Sequence, residues 1–344
     1  NLGNILDFEN LTKDNIYVLE SPILSNSQYE KFMDFFRDSI KILDCTFNVQ
    51  NNLKENLNQL SSEAETAVRE GYKHLILSDK QLSENRAAIP MILAFGAINS
   101  KLVNLGIRGF VSINVQTGEV LDTHSFAVLL GAGATTINPY LAFDSIYQRY
   151  EKKLFGKLNY EECVRRYIKS VDNGLLKIMS KMGISVLSAY RGGCNFETVG
   201  LSRAVVAEYF PGMISRISGI GIFGIEKKIK ELHKKAFQKN VSILPIGGIY
   251  KYRKNGESHQ YQGQLIHMLQ HAVTVNSYET YQKYAQGIYN LPLINLRDLL
   301  IFKSPRKSID INEVELETSL RKRFGSGSMS HGALSAEAHE TLAI

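Results

Sequence analysis

Glu70-Gly71-Tyr72-Lys73-His74-Leu75-Ile76-Leu77-Ser78-Asp79 is the stretch on which the fold turns. Gly71 suits the left-handed position that ends a helix. The helix it would end is expected to begin near Ser62 and Glu65, which have capping-box spacing. The run His74–Asp79 is short and apolar and finishes on polar residues, as a buried parallel strand does. Downstream, the pattern predicts a helix over about 89–105, with Pro90 tolerated in its first turn and Gly106 ending it. Strands are expected over 110–115 and 134–138, while 126–130 reads equally as helix or strand. A long helix is expected over about 160–182, because Tyr167, Val171, Leu175, Ile178 and Met182 recur at helical spacing. Gly183 would close it before a further strand at 184–188. Strand–helix–strand repetition implies a parallel sheet with helical crossovers, hence an α/β fold.

Near residue 240 the texture changes to a polar, basic, turn-rich segment, followed by one helical stretch over about 262–289, a charged connector and a final segment from Arg323. A domain boundary is expected there, dividing 1–240 from 241–344. The chain opens at Asn1 without a Met and stops at Ile344 within an amphipathic pattern, so it is expected to be an internal piece of a longer polypeptide.

With 344 residues, 44% hydrophobic, the chain can bury one large core or two ordinary ones. Its net charge of +6 is mild for the length, and the clusters around Lys227–Lys235 and Arg321–Arg323 read as solvated helix faces rather than a nucleic-acid footprint. Cys45, Cys163 and Cys194 are too far apart for a metal or iron–sulfur motif and are expected to be reduced thiols. No apolar run has the length of about 20 residues that a spanning helix needs.

Three motifs invite a ligand. Gly219-Ile220-Gly221-Ile222-Phe223-Gly224 satisfies G-x-G-x-x-G, but its upstream residues 213–218 make a poor strand and no acidic residue lies near 244. Those glycines are expected to permit a tight backbone course. Leu130-Gly131-Ala132-Gly133-Ala134 is expected to serve close packing rather than phosphate binding, with Asn138-Pro139-Tyr140 at the following strand end. His124 beside Asp122 is expected to make a structural hydrogen bond, and Lys181, Arg191 and Arg203 would form an anion site only if the fold converges them. The run Gly325–Ser335 is flexible, small and polar and leads into a helix start at Ala336. Physical reading alone leaves it either a ligand-seating loop or a linker, and leaves open a stand-alone α/β protein that binds a phosphate ligand.

A resemblance narrows this. Gly174–Ser185, continuing through Ser188-Ala189-Tyr190-Arg191-Gly192-Gly193 and Asn195–Ser202, resembles the central domain of glutamate synthase large (alpha) subunits. So do Glu20–Leu24, Ala88–Met91, Asn138–Ala142, Tyr209–Gly212 and Ser215–Gly221. Leu296–Leu300 and Arg323-Phe324 onward look like the start of that family's FMN-binding domain.

The resemblance implies a degenerate (β/α) barrel-like central domain followed by the first part of an FMN-binding (β/α)8 barrel. It implies an oxidoreductase that makes L-glutamate from L-glutamine and 2-oxoglutarate with two electrons. This segment would join the glutaminase and FMN domains and line the ammonia passage. Met329, Ser330, Gly332 and Ala333 would then approach FMN. The 3Fe-4S cluster ligands and the glutaminase nucleophile would lie outside this chain, which offers no general base or nucleophile of its own and is expected to be inactive alone. Residues 191–197 and 207–213 favour NADPH, reached through an FAD-containing small subunit, over ferredoxin as donor. The expected setting is the cytoplasm, away from membranes.

Overall fold

The computed structural model describes residues 17–193, 195–238, 246–303, 305–325 and 327–343. It divides into two compact units, Asn1–Asn240 and Val241–Ile344.

The first unit runs α1 (Asn26–Phe35), β1 (Ile40–Asp44), β2 (Thr46–Asn48), α2 (Leu53–Arg69), β3 (His74–Ser78), β4 (Arg86–Ala88), α3 (Met91–Asn104), β5 (Ser112–Gln116), α4 (Thr123–Ala132), β6 (Ile137–Asn138), α5 (Tyr140–Glu151) and α6 (Tyr160–Lys181). It continues with α7 (Leu187–Tyr190), β7 (Glu197–Leu201), α8 (Arg203–Tyr209), β8 (Ile214–Ile220) and α9 (Ile222–Ala236). The main sheet is parallel, in the order β1-β3-β5-β6, and Ile23 adds a parallel bridge to Ile137 at the β6 edge. The crossovers α2, α3 and α4 account for that order, since parallel neighbours must be joined by long connections. The segment His74–Ser78 is wholly buried, as its apolar run implies.

Alternation along the strands gives the sheet two unlike faces. Leu75, Leu77, Ile113, Val115 and Ile137 point into the large core, against helices such as α2 and α3. The opposite face carries His74, Ile76 and Ser78 on β3 beside Ser112, Asn114 and Gln116 on β5, in register. There Ile76 meets Leu24 and Phe32 under α1, and the polar members bond to one another.

Several boundaries differ from the sequence expectation. The helix α2 begins at Leu53, not near Ser62, because Asn52 caps it by accepting from Lys54 and Glu55 N–H. Ser62 sits mid-helix and donates back to the Asn58 carbonyl at 3.0 Å. Gly71 and Gly106 do end α2 and α3, at φ of +94° and +70°. Residues 126–130 belong to a helix, α4, capped by Asp122. On α6 the buried stripe is Val171, Leu175 and Met179, with Met182 42% exposed. The strand expected at 184–188 does not form. Ile184 N–H is held by the Met179 carbonyl at the helix end, and the chain turns directly into α7.

The second unit contains α10 (Gly263–Thr274), α11 (Tyr278–Tyr289), α12 (Glu317–Arg321) and α13 (Ala336–Ala343). The single helix expected over 262–289 is instead a packed pair, broken where Asn276 takes a φ of +49°. The architecture is therefore mixed α/β with parallel sheets and many helices.

Candidate functional site

At the carboxyl edge of the main sheet, where α/β folds place their ligands, the polar face closes on itself. Ser78 Oγ donates to Gln116 Oε1 at 2.8 Å, and Gln116 Nε2 donates to Asn138 Oδ1 at 3.4 Å. Asn138 Nδ2 in turn donates to the Leu24 carbonyl and to Asn26 Oδ1, each at 3.0 Å. Thr136 Oγ1 joins by donating to Asn114 Oδ1 at 2.7 Å. Beyond β3, buried Asp79 accepts from Thr117 Oγ1 at 2.5 Å and from Gly118 N–H at 3.0 Å. Tyr140 also bonds to Asp79, and burial followed by that carboxylate raises its hydroxyl well above the ordinary range. Lys80 lies over the Tyr140 ring, 5.6 Å from its centre.

Two helix starts at this end are capped from far away. Glu119 Oε2 accepts Met91 N–H at 2.7 Å, supplying α3 with the cap that Pro90 lacks, and burial raises the Glu119 carboxyl. Glu226, on α9, accepts Leu53 N–H at 2.9 Å. Arg86 reaches Asp44 at 2.6 Å and Thr46 Oγ1 at 2.8 Å. Cys45 is fully buried beside this cluster, and burial first, then Asp79 and Asp44, pushes its thiol well up, so it is inert. Cys163 is also a free, buried thiol, and Cys194 lies outside the described residues.

The glycine motif 219–224 does sit between a strand and a helix, since Met213 and its followers lead into β8, parallel to β7. That strand forms despite its weak pattern because β7 supplies a partner. The first glycine is required by contact: a Cβ on Gly219 would stand 2.0 Å from the Gly200 carbonyl oxygen. Gly219→Ala is therefore expected to cost about 2 kcal/mol by forcing β7 and β8 apart. A urea-midpoint comparison checks this, and an unchanged midpoint would contradict it. Gly131 plays the same packing role, its missing Cβ replaced by the Phe196 ring.

Asp122 accepts Ser125 N–H at 2.9 Å as a helix cap, while His124 lies near the Phe196 ring, 6.4 Å centre to centre. The lysine and arginine trio does not converge. Arg191 lines a groove at the opposite, amino edge of the sheet, joined there by Arg108 rather than by Lys181 or Arg203. The basic residues Lys227, Lys228, Lys234 and Lys235 face solvent while Ile222, Ile225 and Ile229 pack inward, as a solvated helix face requires.

In the second unit, the Ser330 carbonyl accepts N–H bonds from Ala333 at 3.1 Å and Leu334 at 3.2 Å, forming a compact turn. Ser335 Oγ then accepts Ala338 N–H at 3.3 Å at the start of α13. Met329 is half-buried, while Ser330, Gly332 and Ala333 are exposed, and a Cβ on Gly332 would meet only Ser330 Oγ at 3.8 Å. The rings of His331 and His339 lie 5.2 Å apart, and His339 Nε2 is buried without a partner, a feature with no sequence signal. Among the described residues no cluster of three or more His, Cys, Asp or Glu could hold a metal, and no helix is long and apolar enough to cross a membrane.

A parallel, helix-covered sheet whose carboxyl edge is closed by its own side chains defines an α/β domain. Comparison with known proteins specifies it further. Residues 1–202 match the glutamate synthase central domain, and residues 259–344 match a conserved region in glutamate synthase. The NADPH glutamate synthase large chain of Azospirillum brasilense is 49% identical over 100% of this chain and 23% of its own length. That of Bacillus subtilis is 39% identical over 95% of this chain and 21% of its own. The chloroplastic ferredoxin-dependent glutamate synthase of Spinacia oleracea is 37% identical over 99% of this chain and 22% of its own. The chain belongs to the glutamate synthase family, and spans between a fifth and a quarter of the length of these relatives. Nothing in these matches favours a stand-alone phosphate-binding protein.

Proposed function

We propose that this chain is the connecting part of a glutamate synthase large subunit, an oxidoreductase forming L-glutamate from L-glutamine and 2-oxoglutarate with two electrons. The observation that carries the reading is the 49% identity to an NADPH-type large chain over the whole sequence. In this reading 1–240 is a degenerate (β/α) barrel-like central domain and 241–344 opens an FMN-binding (β/α)8 barrel. The segment joins glutaminase and FMN domains and lines the ammonia passage.

The turn at 329–334 fits one edge of a flavin site. Ser330 presents an exposed hydroxyl, Gly332 leaves open space that a side chain would fill, and Met329 supplies a half-buried apolar contact. Met329, Ser330, Gly332 and Ala333 would hold that edge, and FMN, when bound, supplies hydride-transfer chemistry to the whole enzyme. The 3Fe-4S ligands lie beyond this chain in the same reading. The electron donor is NADPH, delivered through an FAD-containing small subunit in the cytoplasm, a choice resting on the 49% identity to one NADPH-type large chain. The other NADPH-type relative, at 39%, is no closer than ferredoxin-dependent ones at 38% and 39%.

The full-length polypeptide with its small subunit is expected to oxidise NADPH only when glutamine and 2-oxoglutarate are both present. Activity with reduced ferredoxin and none with NADPH would overturn the donor assignment. Residues 1–344 alone are expected to show neither turnover nor stoichiometric FMN binding. Tight FMN binding by that piece would contradict its being only one edge of the site.

A further inference from the structure

A groove of about 800 Å³ opens at the amino ends of β3 and β5, and the reading above assigns it no role. One part of its wall is aromatic, from Tyr17, Phe32 and Phe36, while Ser112, Thr135 and Ser188 contribute hydroxyls. Its size and its mixture of apolar wall and few polar groups are those of a small-molecule site.

Two cations line it, and they are not equivalent. Arg108 is held by hydrogen bonds from all three of its nitrogens: Nε donates to Asn99 Oδ1 at 2.7 Å, and its terminal nitrogens donate to the Val111 carbonyl at 2.7 Å and the Gly133 carbonyl at 3.2 Å. Those acceptors are neutral, so its charge stays unbalanced. Burial, with a smaller contribution from Arg191, lowers Arg108 to about 10. Arg191 is half-buried, and its guanidinium has no hydrogen-bond or ion-pair partner among the described residues. No Asp or Glu among the described residues lines the groove. A third polar group is also unsatisfied: His74, only 6% exposed, lines the groove and its Nδ1 has no partner. Like charges gathered in a low-dielectric cleft raise the local concentration of anions. A guanidinium with free donors matches a carboxylate in a two-pronged pair.

We infer that this groove is a binding site for an organic carboxylate that has an aromatic or branched apolar body and no ammonium group. Arg191 pairs with the carboxylate, and the aromatic wall takes the body. An ammonium group is disfavoured because both charged side chains among the described lining residues are positive, with no carboxylate among them to receive it. The engaged Arg108 holds the groove wall in place and adds long-range attraction, while the free Arg191 makes the direct contact.

The test is a calorimetric titration of the full-length polypeptide with phenylacetate, 2-phenylethylamine and inorganic phosphate. Wild type, Arg191→Leu and Arg191→Lys are compared, with thermal midpoints as the folding check. Phenylacetate is expected to bind saturably, Arg191→Leu to weaken it at least about tenfold, and Arg191→Lys to weaken it less, since lysine keeps the charge but loses the two-pronged pair. The amine is expected not to bind, and phosphate to bind more weakly than phenylacetate. Equal affinity in the leucine variant, equal binding of acid and amine, or tighter binding of phosphate would each overturn the inference. So would the absence of saturable phenylacetate binding. Should the leucine variant unfold, the contrast between acid and amine in the lysine variant decides.

Discussion

Asp79→Ala is expected to lower the unfolding free energy by about 3 kcal/mol, since it removes the charged acceptor of several hydrogen bonds. The carboxylate is only 3% exposed and receives Thr117 Oγ1 and Gly118 N–H from the loop after β5. It also holds the Tyr140 hydroxyl at the start of α5. Alanine would leave those donors buried without acceptors, which costs more than the pairs themselves contribute. Removing the charge also relieves the cost of burying it, so the loss is smaller than a sum over the bonds. Asp79→Asn separates these effects. Its carbonyl oxygen can take the place of Oδ2, which accepts from both Thr117 Oγ1 and Gly118 N–H, while its amide group replaces the second acceptor oxygen, so about half the loss is expected. Urea unfolding of the three proteins checks the order. If alanine and asparagine are equal to wild type, Asp79 does not organise the carboxyl edge.

The second large effect is a pH dependence set by His74. Burial first, then Lys73, lowers its imidazole from 6.5 to about 4. The ring is packed against Phe36 at 4.1 Å and Phe32 at 5.4 Å, centre to centre. The folded protein therefore binds the proton less readily than the unfolded chain. The stability tied to neutral His74 is fully present above pH 6.5 and is lost as pH falls through the window toward 4. A separation of that size is worth about 3 kcal/mol. Carboxylates held low by partners, such as Glu162 by Arg166 and Arg165, act below that window, while Glu119 and Asp172, raised by burial, act with the opposite sign. The His74 contribution is therefore the part of the slope that removing the imidazole abolishes. His74→Phe suits the aromatic surroundings and is expected to lose the slope between pH 6.5 and 5. The same slope in wild type and variant, measured by denaturant unfolding, would contradict the assignment.

Local chemistry explains which parts of the fold were legible in the sequence. The apolar run His74–Ser78 could only be a buried strand, and Gly71 and Gly106 marked helix ends because few other residues accept their backbone conformation. Gly131 was read as a packing glycine and Gly219 as one that permits a tight backbone course, and the Phe196 ring and the Gly200 backbone show what stands against each. What escaped was decided by partners remote in the chain. The start of α2 depends on Asn52 and on Glu226 across the fold, while the start of α3 depends on Glu119. No short-range pattern announces a cap that arrives from 173 residues away. The strand β8 scored poorly because its stability comes from β7, and the strand expected at 184–188 lacked any such partner. Likewise the anion trio failed: Arg191 was a correct candidate for a groove, but Arg108, its companion there, carries no motif.

The family likeness, rather than any site, was legible in the sequence. Long runs such as Gly174–Ser185 carried that likeness, and the matches over residues 1–202 and 259–344 establish it. The turn at 329–334 shows no chemistry unaided. Its exposed Ser330 and open Gly332 make sense as one edge of a site whose remainder belongs to the rest of a long polypeptide.

The central claim is that this chain connects ammonia release to glutamate formation, and one isotope measurement tests it directly. The full-length enzyme is supplied with amide-labelled [15N]glutamine, 2-oxoglutarate, NADPH and an excess of unlabelled ammonium. The account predicts that the new glutamate carries the amide label almost undiluted, because the nitrogen travels inside the protein. Label diluted in proportion to free ammonium, or no new glutamate at all, would contradict it.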